Sequence, residues 1–211
     1  MKLLKAQVNI EEFFARLGED RKRALFLDYD GTLAPFSASR DRAAPYPGVR
    51  EILEALVDSR HTRLILITGR YTRNLVELLS LPRLPEIWGS HGWEKLLPDG
   101  TYEVGDLEES ALQGLAEADA WVEREGLAER VEHKPASLAI HWRGLNPSEA
   151  ESIRAKAQET LSVLARRTGL RLHDFDGGLE LRLQGRNKGY AVTTVLDEMG
   201  EGTAAAYLGD D

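Results

Sequence analysis

Cysteine is absent from the chain, which excludes disulfides and thiolate metal sites outright. No apolar run approaches the roughly 18 residues that a membrane-spanning helix needs, so no membrane partner is expected. Positive charge is in deficit: 27 Lys and Arg face 35 Asp and Glu, for a net charge of −8. Without a basic excess there is nothing to displace counterions from a phosphodiester backbone, and general nucleic-acid binding is not expected either. An anionic ligand would therefore need a local basic pocket inside an acidic protein. The opening Met1-Lys2-Leu3-Leu4-Lys5 lacks the sustained apolar segment and cleavage site of a signal peptide, so the expected location is cytoplasmic. What is present, 42% hydrophobic and 29% charged residues in a chain of 211, fits a globular protein of one large domain or two small ones.

The most informative stretch runs from Leu25 to Leu33, an apolar run that delivers Asp28 and Asp30 into a Gly31-Thr32 turn. Ala24 to Leu27 has the length and composition of a buried parallel strand. A strand ending in Asp-Tyr-Asp sets its acids in the crevice at the carboxyl edge of an open α/β sheet. There one carboxylate can attack as a nucleophile while the other moves a proton. Acids this close repel, a bound divalent cation relieves the repulsion, and hard oxygen ligands favour magnesium. A plain strand-to-turn junction accounts for an isolated Asp-Gly, but not for the whole string in this context.

The rest of the chain continues the alternation. An amphipathic helix is expected over about Ile10 to Leu17, and another from the spacing of Val49, Ile52, Leu53, Leu56 and Val57. Leu64 to Ile67 reads as a second buried strand closed by Thr68-Gly69-Arg70, Leu75 to Leu79 as a helix, and Ile87-Trp88 as a third strand. This order predicts a parallel sheet with right-handed crossovers. After Asp99-Gly100 the pattern changes to half-buried alternation, as in Leu138, Ile140 and Trp142 against Ala139, His141 and Arg143. Asn146-Pro147-Ser148-Glu149 starts a helix that Gly169 ends. A hairpin is expected around Asp176-Gly177-Gly178. One face of this α+β insert would carry Glu132, Lys134, His141, Arg143, Glu180 and Arg182. It is either a solvated sheet face or a roof over the acids. Lys188 opens the next helix, where the macrodipole disfavours a cation unless an anion lies nearby. A last apolar strand ends in Asp210-Asp211.

These blocks resemble a known family. Asp-x-Asp-x-Thr after a hydrophobic strand is similar to the nucleophile motif of the haloacid dehalogenase superfamily. Gly-Ser-His-Gly-Trp-Glu, Glu132-His133-Lys134, Ser-Leu-Ala-Ile-His-Trp-Arg, Glu180-Leu181-Arg182 and Asn187-Lys188-Gly189 resemble the trehalose-6-phosphate phosphatase family within it. The resemblance implies an α/β fold: a Rossmann-like parallel-sheet core over residues 1–98 and 183–211, with an α+β cap inserted at 99–182. It implies a phosphate transferred to Asp28, with Asp30 protonating the leaving group and then activating water. Thr68 would bond a phosphoryl oxygen and Lys188 would neutralise its charge. Asp28, the carbonyl of Asp30 and Asp210 would hold Mg2+. Glu132, Lys134 and Glu180 would grip sugar hydroxyls. His91, Glu94 and Arg143 are further candidate contacts or supports, and Arg70 either braces its loop or touches substrate. The implied reaction is hydrolysis of trehalose 6-phosphate in trehalose biosynthesis.

The family's pattern runs on past Gly-Asp-Asp to later acids, another helix and another strand. The expectation is therefore a core truncated at its C-terminus, in either a fragment or an impaired protein, with the α-carboxylate of Asp211 adding charge beside the acids. The rival readings are a phosphatase for sucrose phosphate or a mannosyl phosphoglycerate, a phosphosugar mutase, and a silent sugar-phosphate-binding module. Oligomeric state leaves no readable mark.

Overall fold

Solid apolar runs become strands buried on both faces, the property of a parallel sheet sandwiched by helices. The computed structural model describes residues 9–19, 22–37 and 42–210. Met1 to Lys5 and Asp211, on which expectations were placed above, lie outside them. In chain order the elements are α1 (Ile10–Glu19), β1 (Arg23–Asp28), α2 (Val49–Ser59), β2 (Arg63–Ile67), α3 (Thr72–Leu79) and β3 (Glu86–Gly89). A 3-10 turn, Ser90–Gly92, leads to the short strands β4 (Glu94–Leu96) and β5 (Tyr102–Val104). Next come α4 (Glu109–Arg124), β6 (Val131–Lys134), β7 (Ser137–His141) and α5 (Pro147–Thr168). The hairpin β8 (Arg171–Phe175) and β9 (Gly178–Arg182) precedes α6 (Lys188–Met199) and β10 (Ala204–Leu208).

The first sheet has the order β10-β1-β2-β3-β4-β5, parallel from β10 to β3 and antiparallel beyond. Period-two alternation sorts its residues. Leu27, Leu64, Leu66 and Ile87 pack against Leu53 of α2 and Leu75 and Leu79 of α3. Phe26, Ile65, Ile67 and Trp88 turn to the opposite face, under Ala191 and Val195 of α6. Ile65, Leu66 and Ile67 are wholly buried, each contributing about 1.5–3 kcal/mol. The strand order reverses direction at β1, whose neighbours β2 and β10 come from opposite ends of the chain. The crevice beyond the carboxyl ends of strands at such a switch point is where open α/β sheets bind ligands. Asp28 and Asp210 stand there.

The second sheet, β6-β7-β9-β8, is antiparallel throughout. Leu138, Ile140, Leu179 and Leu181 form one core with Trp121 and Val122 of α4 and Ala157 and Leu161 of α5. Asn146 caps α5 by accepting a hydrogen bond from the Glu149 amide at 3.0 Å, with Pro147 in the first turn. Gly169 closes it in the left-handed conformation, φ 73°.

One boundary needs correction. The expected insert began at residue 99, but Asp99-Gly100 is the turn of the β4–β5 hairpin, and β5 is hydrogen-bonded into the first sheet. Three-residue strands, of which β5 is exposed along its whole length, are too short to show a hydrophobic period. The second unit therefore starts after Val104 and ends with β9 at Arg182.

Candidate active site

Asp28 ends β1, paired in register with Ile67 of β2, and is 3% exposed. Its Oδ1 accepts from the Tyr29 amide at 2.7 Å and its Oδ2 from Lys188 Nζ at 2.6 Å. Lys188 is the first residue of α6, behind an Asn187 cap that accepts from the Tyr190 amide at 2.8 Å. The anion that the macrodipole argument called for is thus Asp28. Burial pushes the Asp28 carboxyl up to about 6, and the adjacent Asp210 carboxyl adds to the rise. The Lys188 ammonium and the Tyr29 amide pull the other way.

The turn after β1 is tight because the Tyr29 carbonyl accepts from the amides of Leu33 and Ala34 at 2.9 and 3.0 Å. Gly31 sits at φ 76°, and a Cβ there would lie 2.7 Å from the Phe36 ring and 2.8 Å from Asp210 Oδ2. The turn therefore has room only for glycine beneath the acids. Asp30 is gripped by Arg70, whose Nε and a terminal nitrogen donate to the two carboxylate oxygens at 2.8 and 2.6 Å. Arg70 is itself 4% exposed, donates to Asn74 Oδ1 at 2.9 Å and lies over the Tyr29 ring. Its planar fork matches a carboxylate bidentately, which a lysine cannot do. Arg70 thus touches Asp30, the partner that the loop-or-substrate alternatives left unnamed.

The crevice, about 290 Å3, has a floor of Asp28, Asp30, Arg70, His91, Lys188 and Asp210. Its roof is the polar face of the second sheet: Lys134, Ala139, His173, Phe175 and Glu180. Lys134 Nζ and Ser137 Oγ donate to the same Glu180 oxygen at 3.0 and 2.7 Å. Burial acts to raise Glu180, but Lys134 and Ser137 outweigh it and hold the carboxyl down to about 2. His91 is held down to about 4 by burial and then by Lys134, so its imidazole is neutral at pH 7. The ring packs on Gly69, where a Cβ would lie 2.6 Å from Cε1.

Several expected residues stand elsewhere. Arg143 reaches the hairpin turn, donating to the Asp176 carbonyl and carboxylate at 2.6 and 2.8 Å, and is 46% exposed. Past the end of β7 the alternation no longer aims its side chain into the crevice. Glu94 is wholly buried and its carboxylate is occupied by Thr72, Ser90 and Tyr102. Glu132 is on the roof face but outside the crevice lining, beside Lys134 at 3.8 Å and His141 at 3.3 Å. Thr68 is buried, its hydroxyl oxygen accepting from the Arg70 amide at 3.1 Å. Sequence reasoning missed Phe36, Gly69, Ala139, His173 and Phe175. Continuing the β8 alternation from Leu172 would have put His173 and Phe175 on the polar face; nothing local marks Phe36.

For a cation the donor set is small. Among the described residues no group of three or more His, Asp or Glu side chains converges. Asp28 and Asp210 do adjoin, and after burial a hydrogen bond between the two carboxyls adds to the rise of Asp28. Two adjoining carboxylates are hard oxygen donors of the kind that suit a divalent cation.

The fold is that of the haloacid dehalogenase-like phosphatases. It is similar to the C-terminal domain of the trehalose-6-phosphate phosphatase of C. albicans, with a TM-score of 0.69 and 20% identity over 88% of this chain and 65% of that one. It is also similar to a trehalose-6-phosphate phosphatase related protein, with a TM-score of 0.68 and 24% identity over 89% and 78% of the two chains. Within that class, the trehalose-phosphatase family model matches residues 26–211, and the chain belongs to that family. It is 32% identical to an uncharacterized glycosyl hydrolase of Mycobacterium tuberculosis, over 93% of this chain and 15% of that protein. It is 30% identical to the trehalose-phosphate phosphatase of Mycobacterium leprae, over 85% and 41%. The chain thus spans less than half the length of these curated relatives. No helix among the described residues is long and apolar enough to cross a membrane.

Proposed function

We propose that the chain hydrolyses a sugar phosphate, trehalose 6-phosphate, to trehalose and inorganic phosphate. The observation that carries this reading is one crevice with an Asp28–Lys188 pair at its floor and a Lys134–Glu180 pair on its roof. The floor suits phosphorus, and the roof suits hydroxyl groups, since Glu180 accepts and Lys134 donates.

An oxygen of Asp28 attacks phosphorus, and the bond from phosphorus to the sugar oxygen breaks as Asp30 gives that oxygen a proton. Water then attacks the aspartyl-phosphate, Asp30 takes its proton, and the P–O bond to Asp28 breaks to restore the carboxylate. Lys188, already within hydrogen-bond distance of Asp28, balances charge on the transferring group, which is most of what phosphoryl transfer requires. The Thr68 hydroxyl, whose oxygen already accepts from Arg70, keeps its own proton to donate. Both Asp30 oxygens accept from Arg70, so Asp30 must release one of those bonds and take up a proton on the freed oxygen before it can protonate the leaving oxygen. Asp28, Asp210 and the Asp30 carbonyl would hold magnesium, which neutralises phosphoryl charge when bound. The unit from residue 105 to 182 acts as the cap that selects the sugar.

The test is phosphate release from trehalose 6-phosphate with magnesium. Sucrose 6-phosphate, a mannosyl phosphoglycerate and glucose 6-phosphate serve as comparisons, and Asp28→Asn as the control. Selective release that Asp28→Asn lowers by on the order of a thousandfold supports the reading. Release from another substrate moves the specificity. Tight binding of the sugar phosphate with no release makes the chain a silent binder.

A further inference from the structure

We propose that Glu94 is a positioning residue that holds His91 in the crevice through Ser90, and is not a ligand of the sugar. This rests on reading the crevice as a sugar-phosphate site. Glu94 has no solvent-exposed surface. Its Oε1 accepts from Thr72 Oγ1 at 2.9 Å and from the Tyr102 hydroxyl at 2.8 Å, and its Oε2 from the Thr72 amide at 3.3 Å and from Ser90 Oγ. A carboxylate offers about four acceptor positions, and here four donors occupy them, so a sugar hydroxyl finds none free.

The donors come from three places: the first residue of α3, the 3-10 turn and β5. The turn is the part that needs holding. Ser90 and His91 lie at φ 49° and 56°, two consecutive non-glycine residues in the left-handed region, followed by Gly92 at φ 94°. Such backbone persists only where surrounding contacts over-determine it. Two contacts weld it to the loop after β2: the Ser90 amide donates to the Arg70 carbonyl at 2.7 Å, and the His91 amide to the Thr68 carbonyl at 3.0 Å. The third is the Ser90 hydroxyl on Glu94.

What the turn delivers is the His91 ring, laid on Gly69 and facing Lys134, Glu180, Arg182 and Lys188. That neutral imidazole has one donor and one acceptor nitrogen at the seam between floor and roof. Releasing Ser90 lets the turn relax toward ordinary φ values, and the ring then leaves this seam.

The experiment compares Glu94→Gln, His91→Ala and the double variant in the full chain, each checked for native circular dichroism. The first readout is an NMR titration of the five histidines, with His91 assigned from His91→Ala. In Glu94→Gln the His91 pKa should climb from about 4 toward the ordinary value near 6.5. The second is steady-state hydrolysis of trehalose 6-phosphate. Glu94→Gln should raise KM about tenfold, the equivalent of one lost hydrogen bond, with kcat within about twofold. The double variant should be no worse than His91→Ala, because both changes remove one contact. If Glu94→Gln does not fold, Ser90→Ala carries the same readouts with a single bond removed. An unmoved His91 titration in a folded variant, or losses that multiply in the double variant, overturns the proposal. If the wild type releases no phosphate, the functional reading has failed, and the titration still decides the role of Glu94.

Discussion

Replacing Lys134 with Met isolates the electrostatics of the roof. Lys134 Nζ lies 3.0 Å from Glu180 Oε1, and the two side chains are 4% and 5% exposed. Breaking a pair this deep strands a buried charge, which costs about 3–5 kcal/mol. The Ser137 bond to the same oxygen survives, so the low end applies. Titration linkage, summed over burial, Lys134 and Ser137, gives a figure of the same order. Glu180 moves from 4.5 to about 2 on folding, and at 1.36 kcal/mol per unit that difference contributes about 3 kcal/mol at pH 7. Because the folded value is the depressed one, this stability is complete above pH 4.5 and lost as pH falls toward 2. Lys134→Met should therefore lower unfolding free energy by about 3 kcal/mol at pH 7 and flatten the acid limb. Urea unfolding of wild type, Lys134→Met, Glu180→Gln and the double variant closes a cycle. A coupling energy under about 0.5 kcal/mol, the scatter of independent sites, would refute the argument.

Three further outcomes follow from the same geometry. Gly69→Ala places a Cβ 2.6 Å from the His91 ring; the forced shift should cost about 1–3 kcal/mol in thermal unfolding, and an unchanged melting temperature counts against the packing. Arg70→Lys keeps the charge but loses the two-pronged grip on Asp30; kcat should fall about tenfold or more, since hydrogen bonds to charged groups are worth about 1.5–3 kcal/mol. Chelation with EDTA should stop phosphate release and added magnesium should restore it; activity that survives exhaustive chelation rejects Asp28 and Asp210 as cation ligands.

Legibility varied with the length scale of the signal. Runs such as Leu64-Ile65-Leu66-Ile67 and caps such as Asn146-Pro147 are local, and local chemistry decides them. Asp28 and Asp30 stood out because a strand end and a turn of stated residues are sequence neighbours. The β4–β5 hairpin escaped because strands of three residues make no period. Arg143 was assigned to the crevice by extending β7 two residues past its end, where the chain turns to meet Asp176. Glu94 was named only through the family resemblance, as a contact or a support, and the burial and hydrogen bonds that occupy its carboxylate come from distant elements.

Apart from the β4–β5 hairpin, the order of strands and helices, the acidic strand ends and the polar face of the second sheet were determined by the sequence alone, because hydrophobic period and turn chemistry act over a few residues. Tertiary structure alone decided the partners. Lys188 meets Asp28 across 160 positions, Lys134 meets Glu180 across 46, and Arg70 meets Asp30 across 40. Burial and these partners together set the charges: a carboxyl group rests at about 6 in Asp28 and about 2 in Glu180. Desolvation wins at the first, a shared ammonium and hydroxyl win at the second, and no property of either residue's sequence neighbours distinguishes them.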